Sequence, residues 1–254
     1  MIAEIISSFF AYAKRPHLYP ELGRKIVKNT FQRGSATKGK QNAEKWCIEN
    51  AISQQDAITK FSNLPVDIFT DFKEETTYAL EQEKNCPVKM GGAGALNLIY
   101  AITESLNAKN VLETGVAYGW STLAILLSLQ KRNGHLYSSD MPYATKNNDN
   151  FVGIVIPEKL KQFWSLFQFA DKESIPKILQ QQNQFDFIHY DSDKAYNGRM
   201  WAYKTLWPKV TKNGIFMSDD IADNSAFMDF CIQNNLKPII VNFDDKYAGY
   251  IIKS

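Results

Sequence analysis

Acidic residues follow several of the predicted strands of this chain. Glu113 lies at the end of one short apolar run, and Asp140, Asp191 and the pair Asp219–Asp220 close three others. A single aspartate after a strand commonly caps the next helix or forms a turn. Because the carboxyl ends of parallel strands meet at one edge of a sheet, several such carboxylates would lie close together and repel one another. The pattern therefore predicts a cation at this edge.

The turn after the first apolar run has the spacing of a ligand-binding loop. The sequence NVLETGVAYGWSTLAILL places Gly115 and Gly119 ahead of a helix, where an anionic group can approach the backbone. Ala117 stands where dinucleotide-binding turns carry the glycine that admits a pyrophosphate. Asp140 closes the next strand, a position from which a carboxylate can hold ribose hydroxyls. A ribose without a pyrophosphate indicates an adenosyl cofactor.

Short apolar runs alternate with helical patterns in the second part of the chain, which is typical of βαβ units and a parallel sheet. We predict seven strands, at residues 110–114, 135–140, 164–169, 185–191, 214–219, 237–243 and 247–253. Only residues 244–246 separate the last two strands, which must therefore pair as an antiparallel hairpin. The predicted fold class is α/β: a Rossmann-like, doubly wound, seven-stranded sheet, mostly parallel with a C-terminal antiparallel hairpin, plus an N-terminal helical extension.

The region that precedes the strands has an irregular helical pattern. Residues 1–84 are predicted to form a helical cap or dimerisation region, ahead of a cofactor-binding domain at residues 85–254. Its apolar residues, including Phe9, Phe10, Trp46 and Phe61, must be covered by the sheet domain or by another subunit. We expect them to roof the active edge and to support a homodimer.

Composition excludes several classes of protein. The 254 residues carry a net charge of +2, which does not favour nucleic acid as a partner, and 44% are hydrophobic, which excludes a disordered chain. Three cysteines are too widely separated for a metal knuckle and odd in number, so we expect a reducing, cytoplasmic setting. The apolar stretch at residues 1–13 is too short to cross a bilayer, so no stable membrane insertion is expected.

Residues 88–254 resemble a class I S-adenosylmethionine-dependent methyltransferase. The segment LETGVAYGWS resembles the first motif of the catechol-type O-methyltransferases and of small bacterial relatives that act on natural products or sugars. The resemblance implies S-adenosylmethionine as cofactor. The residues that it places around that cofactor are Met90, Gly91, Glu113, Gly115, Gly119, Ser121, Asp140, Asp171 and Asp191.

Individual roles follow from the same resemblance. Ser121 would meet the methionine carboxylate and Asp140 would hold the ribose. The segment VKMGGAG resembles the family's entry loop and would bring Met90 and Gly91 to the methionine end of the cofactor. The family often has Gly-Asp near the adenine, where this chain has Ala170–Asp171.

The blocks FDFIHYDSDKAY and GIFMSDDIADN resemble the metal site of the metal-dependent members. The resemblance implies one divalent ion on Asp191, Asp219 and Asp220, and an all-oxygen ligand set suits Mg²⁺. Lys194 falls where the catechol-type enzymes carry a catalytic lysine. Beside Mg²⁺ its pKa would be lowered, so it could act as a general base next to Asp191. The alternative is a surface lysine that pairs with Asp193.

These features together predict a methyltransferase that acts on a small molecule, through metal-assisted O-methylation of a hydroxyl. Two alternatives remain open. One is a metal-free methyltransferase in which the aspartates only position the substrate. The other is a non-catalytic cofactor-binding or scaffold protein with the same fold.

Overall fold

An eight-stranded sheet forms the centre of the computed structural model, which describes residues 35–143 and 146–254 together with Tyr19, Pro20 and Arg24. The prediction about Phe9 and Phe10 lies outside the described residues. The strands are β1 Ala51–Ser53, β2 Asn110–Thr114, β3 His135–Ser139, β4 Trp164–Phe167, β5 Phe185–Tyr190, β6 Val210–Ser218, β7 Ile239–Phe243 and β8 Lys246–Ile252.

The strand order is β1-β7-β8-β6-β5-β2-β3-β4. Strand β8 is antiparallel to both of its neighbours, and the remaining pairs are parallel. The predicted α/β class with its C-terminal hairpin is therefore confirmed. The strand count differs, because Ala51–Ser53, in the region predicted to be helical, adds a short parallel strand beside β7.

Helices cover both faces of the sheet. They are α1 Lys40–Asn50, α2 Gln54–Ile58, α3 Ile68–Asp71, α4 Lys73–Asn85, α5 Leu96–Ser105, α6 Trp120–Leu129, α7 Asp171–Gln181, α8 Tyr196–Leu206 and α9 Ala226–Gln233. None of them, within the described ranges, is long and apolar enough to cross a membrane.

Two apolar clusters form the core, one on each face of the sheet. Val111 and its partner Phe187 on the neighbouring strand belong to one cluster, whereas the next pair, Leu112 and Ile188, belongs to the other. This division follows from the alternation of side chains along a strand. Both faces of the central strands are buried, so most of their residues are apolar, and Asp186 and His189 within β5 are exceptions.

Part of the N-terminal region packs on the sheet domain. The ring of Phe61 lies 5.4 Å from that of Tyr250 on β8, and the ring of Trp46 lies 6.4 Å from that of Phe227 on α9. Both N-terminal side chains pack against the buried clusters, so their apolar surface is covered within this chain.

The sheet reverses its order at β2. Strands β3 and β4 follow β2 on one side, and β5 lies on the other. In doubly wound sheets such a reversal leaves a crevice beyond the carboxyl ends of the strands, where ligands bind. The residues that follow β2, β3, β5 and β6 are those singled out from the sequence, so the fold brings them to this crevice.

Candidate active site

Two glycines shape the turn between β2 and α6. Gly115 and Gly119 have φ angles of +83° and +100°, in the left-handed region that favours glycine. A Cβ atom on Gly115 would lie 2.3 Å from the carbonyl oxygen of Asp191. The turn after β2 therefore lies directly against the loop after β5, and only glycine permits that approach.

Asp140 holds this turn from the end of β3. Its Oδ2 accepts hydrogen bonds from the backbone N–H groups of Val116 (2.7 Å) and Ala117 (2.9 Å). Burial raises the pKa of Asp140, although the two N–H donors oppose that shift. Its other oxygen, Oδ1, makes no hydrogen bond within the described residues and can accept one from a ligand.

Met90 joins the entry segment to the loop after β3. Its backbone N–H donates to Tyr118 Oη (3.1 Å), and its sulfur accepts from Asn148 Nδ2 (3.2 Å). The adjacent Gly91 lies against Ala117, since a Cβ atom on it would be 3.6 Å from the Cβ of that alanine. The predicted methionine-end residues therefore lie beside the glycine turn.

Glu113 lies under the turn and is fully buried. Its carboxylate accepts hydrogen bonds from the hydroxyls of Ser121 (2.6 Å), Thr122 (2.6 Å) and Ser138 (2.8 Å). Glu113 and Ser121, which the resemblance assigns separately to the cofactor, thus bond to each other. Glu113 therefore ties β2, β3 and α6 together below the site.

Asp171 begins α7 beside the same edge. Its carboxylate accepts from the hydroxyls of Ser192, Ser139 and Tyr190. Burial raises its pKa to about 6, with a further contribution from the charge of Asp193 and opposition from the hydroxyl donors. Asp171 therefore connects the end of β3 to the end of β5 and to the loop that follows β5.

Lys194 bridges two of the predicted metal ligands. Its Nζ donates to Asp191 Oδ1 and to Asp220 Oδ2, the latter at 2.7 Å. Burial alone would lower the pKa of Lys194, but the charges of Asp191 and Asp220 outweigh it and raise the pKa above its ordinary value. The side chain is therefore an ammonium in this arrangement, whereas the sequence argument expected a lowered pKa.

Asp219, the third predicted ligand, faces a different partner. It is almost completely buried, and its Oδ2 lies 3.4 Å from Nε2 of His189, whose Nδ1 lies 3.8 Å from Glu113. Burial alone would lower the pKa of His189, but the carboxylates of Asp219 and Glu113 outweigh it and raise the pKa to about 10. His189 thus lies between two buried carboxylates, although neither ring nitrogen makes a hydrogen bond within the described residues.

The three aspartates do not fit the predicted magnesium ion. Lys194 stands between Asp191 and Asp220, and His189 faces Asp219. Within the part of the chain that the structure describes, Asp219 Oδ1 is buried without a hydrogen-bond partner. Among the described residues, no group of three or more His, Cys, Asp or Glu side chains is arranged to hold a metal ion.

A polar cleft of about 170 Å³ borders Asp220. It lies between α1, the loop after β6 and the C-terminal hairpin, and Lys40, Asp223 and Tyr247 contribute to its lining. An N-terminal segment therefore takes part in the surface next to the acidic edge.

Residues 112–221 match the family model described as "Methyltransferase domain". The chain contains a methyltransferase domain. The resemblance to class I S-adenosylmethionine-dependent methyltransferases is thereby confirmed. No curated protein sequence matches the chain.

Several solved structures share the fold of this methyltransferase domain. A Klebsiella pneumoniae protein described as a candidate O-methyltransferase has a TM-score of 0.56 at 14% identity, over 80% of this chain and 97% of that one. A Bacillus cereus O-methyltransferase in complex with SAH gives 0.53 at 12% identity, over 79% and 98%. An SAH-bound Podospora anserina methyltransferase gives 0.53 at 12% identity, over 84% and 94%. At these identities the similarity establishes the fold alone.

The methyltransferase domain also holds a buried arginine that the sequence argument did not single out. Arg199 is 1% exposed, and its guanidinium donates to the carbonyl oxygens of Asp193 (3.3 Å) and Asp220 (2.8 Å). It thereby holds the loops after β5 and β6 together. The sequence carries a signal for this, because Arg199 lies three residues after Tyr196 and four before Tyr203, on the buried face of α8.

Proposed function

We propose that the protein transfers the methyl group of S-adenosylmethionine to a hydroxyl oxygen of a small molecule. The observation that carries this proposal is the contact between the glycine turn and the acidic edge, where Gly115 lies directly against the backbone of Asp191. A ligand seated on the turn would have its reactive end next to Asp191 and Lys194. The names of the similar structures, which include O-methyltransferases, also support this reaction type.

The residues around the turn fit the proposed cofactor. Oδ1 of Asp140, which has no hydrogen bond to the residues that the structure describes, suits a ribose hydroxyl. The two positive-φ glycines leave the backbone open to a close approach. Ser121 lies in the first turn of α6, where backbone N–H groups favour a carboxylate. Bound S-adenosylmethionine would supply an electrophilic methyl group on a positively charged sulfur.

At the acceptor, we assign separate roles to Lys194 and Asp191. The hydroxyl proton passes to the Asp191 carboxylate, while the Lys194 ammonium stabilises the charge that develops on the oxygen. The oxygen–carbon bond forms as the carbon–sulfur bond breaks, an in-line displacement in which alignment of the reactants provides much of the acceleration. The polar lining next to Asp220 supports a hydroxylated acceptor.

Calorimetry with S-adenosylhomocysteine tests the cofactor part of the proposal. Asp140→Ala should weaken binding by about 1.5 to 3 kcal/mol, the range for a hydrogen bond to a charged group. Glu81→Ala, at an exposed position of α4, is the control and should leave binding unchanged. Binding of NAD in place of S-adenosylhomocysteine would contradict the proposal.

A screen of hydroxylated metabolites with a labelled methyl donor tests the reaction. An O-methylated product identified by mass spectrometry supports the proposal. Cofactor binding without transfer to any acceptor favours the scaffold alternative. The predicted homodimer and cytoplasmic setting stay part of the proposal, and light scattering would report the first.

A further inference from the structure

We propose that the Lys194 ammonium is the resident cation of the acidic edge and takes the place of a divalent metal there. The part of this inference that concerns methyl transfer rests on the proposed function. The part that concerns cation occupancy does not, because it depends only on contacts within the chain.

The geometry around Lys194 is that of a shared cation. Its Nζ contacts one carboxylate oxygen of Asp191 and one of Asp220, and the side chains are 43%, 35% and 28% exposed, respectively. Because these groups are partly buried, their attraction is screened less than that of a surface pair. A divalent ion placed between the same two oxygens would have to displace the ammonium.

The backbone fixes Lys194 in this position. Its carbonyl oxygen accepts a hydrogen bond of 2.9 Å from Nδ2 of Asn224, a fully buried residue whose Oδ1 accepts from the N–H of Ala226. The same amide group donates to the carbonyl oxygen of Ala36 at 3.2 Å. Lys194 is thus held by the loop after β6 and by the N-terminal segment, unlike a lysine that merely begins a surface helix.

Asp220, the second carboxylate bound to Lys194, is held in place by contacts of its own. Asp220 has a φ of +51°, an uncommon value for aspartate, and its carbonyl oxygen accepts from buried Arg199 at 2.8 Å. Asp219, the neighbour that would complete a metal site, faces His189. The residues that could surround a metal therefore face two different basic side chains, Lys194 and His189.

The charge of the cluster also suits the proposed cofactor. Two carboxylates and one ammonium leave one net negative charge, which attracts the positively charged sulfur of the methyl donor. A divalent ion in place of the ammonium would cancel this negative charge and remove the attraction.

A titration with Mn²⁺ tests whether a metal can occupy the acidic edge, and it does not require turnover. Binding is measured as the loss of the electron-paramagnetic-resonance signal of free Mn²⁺. The wild-type protein should leave the signal unchanged. Lys194→Met, which removes the charge and keeps the length of the side chain, should bind Mn²⁺ at least about tenfold more tightly, equivalent to about 1.4 kcal/mol. Lys204→Met, at an exposed position of α8, is the control and should behave as wild type.

Two results would overturn the inference. One is stoichiometric Mn²⁺ binding by the wild-type protein that Asp191→Asn or Asp219→Asn abolishes. The other is equal, absent binding by wild type and a folded Lys194→Met variant, which would mean that the lysine does not exclude a metal. If circular dichroism shows that Lys194→Met is unfolded, the inference is tested by comparing Mn²⁺ binding by the wild-type protein with that by Asp191→Asn and Asp219→Asn.

Activity in excess chelator tests the catalytic part. Turnover should be the same with and without the chelator, and its loss would overturn the inference. A failure of the proposed function is distinguishable, because a protein that binds no S-adenosylhomocysteine would still give a clear Mn²⁺ result.

Discussion

Removal of the buried Glu113 carboxylate should destabilise the methyltransferase domain strongly. Glu113→Ala leaves the hydroxyls of Ser121, Thr122 and Ser138 without their acceptor and leaves His189 with one carboxylate instead of two. A hydrogen bond to a charged group contributes roughly 1.5 to 3 kcal/mol, but the three are not additive because they share one acceptor. Breaking a buried charge pair costs about 3 to 5 kcal/mol, which we take as the expected loss.

Thermal unfolding provides the assay. For a chain of this size a loss of 1 kcal/mol lowers Tm by about 2 to 4 °C, so Glu113→Ala should lower it by roughly 6 to 20 °C. Glu113→Gln retains an acceptor oxygen and the side-chain shape, so its effect should be clearly smaller. Glu81→Ala, on the exposed surface of α4, is the matched control and should leave Tm unchanged.

The same variants separate the two roles considered for Glu113. If Glu113 ties the strands together, Glu113→Ala lowers Tm in the absence of any ligand. A Tm within about 2 °C of wild type, combined with lost affinity for S-adenosylhomocysteine, would refute the structural role and return Glu113 to the cofactor.

Three further substitutions test Gly115 in the turn after β2, Asp171 beside the acidic edge, and Arg199 between the loops after β5 and β6. Gly115→Ala should lower the free energy of unfolding, measured by urea titration, by more than about 2 kcal/mol, because it combines a positive φ with a backbone clash. Gly92→Ala is the control and should be neutral, because a Cβ atom there would meet no described atom within 4 Å. The pKa of Asp171 is raised from 3.8 to about 6 in the folded state, so the folded protein binds this proton more tightly than the unfolded chain. Stability should therefore fall as the pH rises from about 4 to about 6. Asp171→Asn should remove this part of the pH dependence, and an unchanged stability profile would contradict the prediction. Arg199→Met should lower Tm and, if Arg199 positions Asp220 for catalysis, should lower kcat more than it raises KM; an unchanged Tm would show that the buried guanidinium does not hold the two loops.

The central strands could be predicted closely from the sequence because their signals are local. Strand β2 has the predicted bounds, and β3 and β5 each end one residue before the predicted end, where Asp140 and Asp191 leave the strand. Continuous apolar runs with a polar end are what a strand buried on both faces requires.

Strand β1 was missed because its signal is not local. It has three residues, and none of them is fully buried. Its conformation depends on pairing with Ile240 and its neighbours on β7, far away in the chain. No periodicity can develop over three residues, so a short parallel edge strand of this kind cannot be distinguished from the end of a helix.

The arrangement of the acidic edge shows a different limit of the sequence argument. Strand topology fixes where Asp191, Asp219 and Asp220 lie along the edge, and the spacing was sufficient to place all three there. It does not fix where their carboxylates point. Asp219 faces His189, whereas Asp220, in the left-handed conformation, turns to Lys194.

From the residue types alone, the three aspartates were predicted to bind one ion, whereas in the fold they face two basic side chains, Lys194 and His189. From the sequence, Lys194 had been considered as a general base or as a surface lysine. Because the partner of each aspartate is set by side-chain direction, the same residues can form a metal site or an internal pair of salt bridges. The two arrangements differ in whether a divalent ion can displace the ammonium of Lys194. The Mn²⁺ titration tests this directly, because it compares the metal affinity of the wild-type protein with that of Lys194→Met.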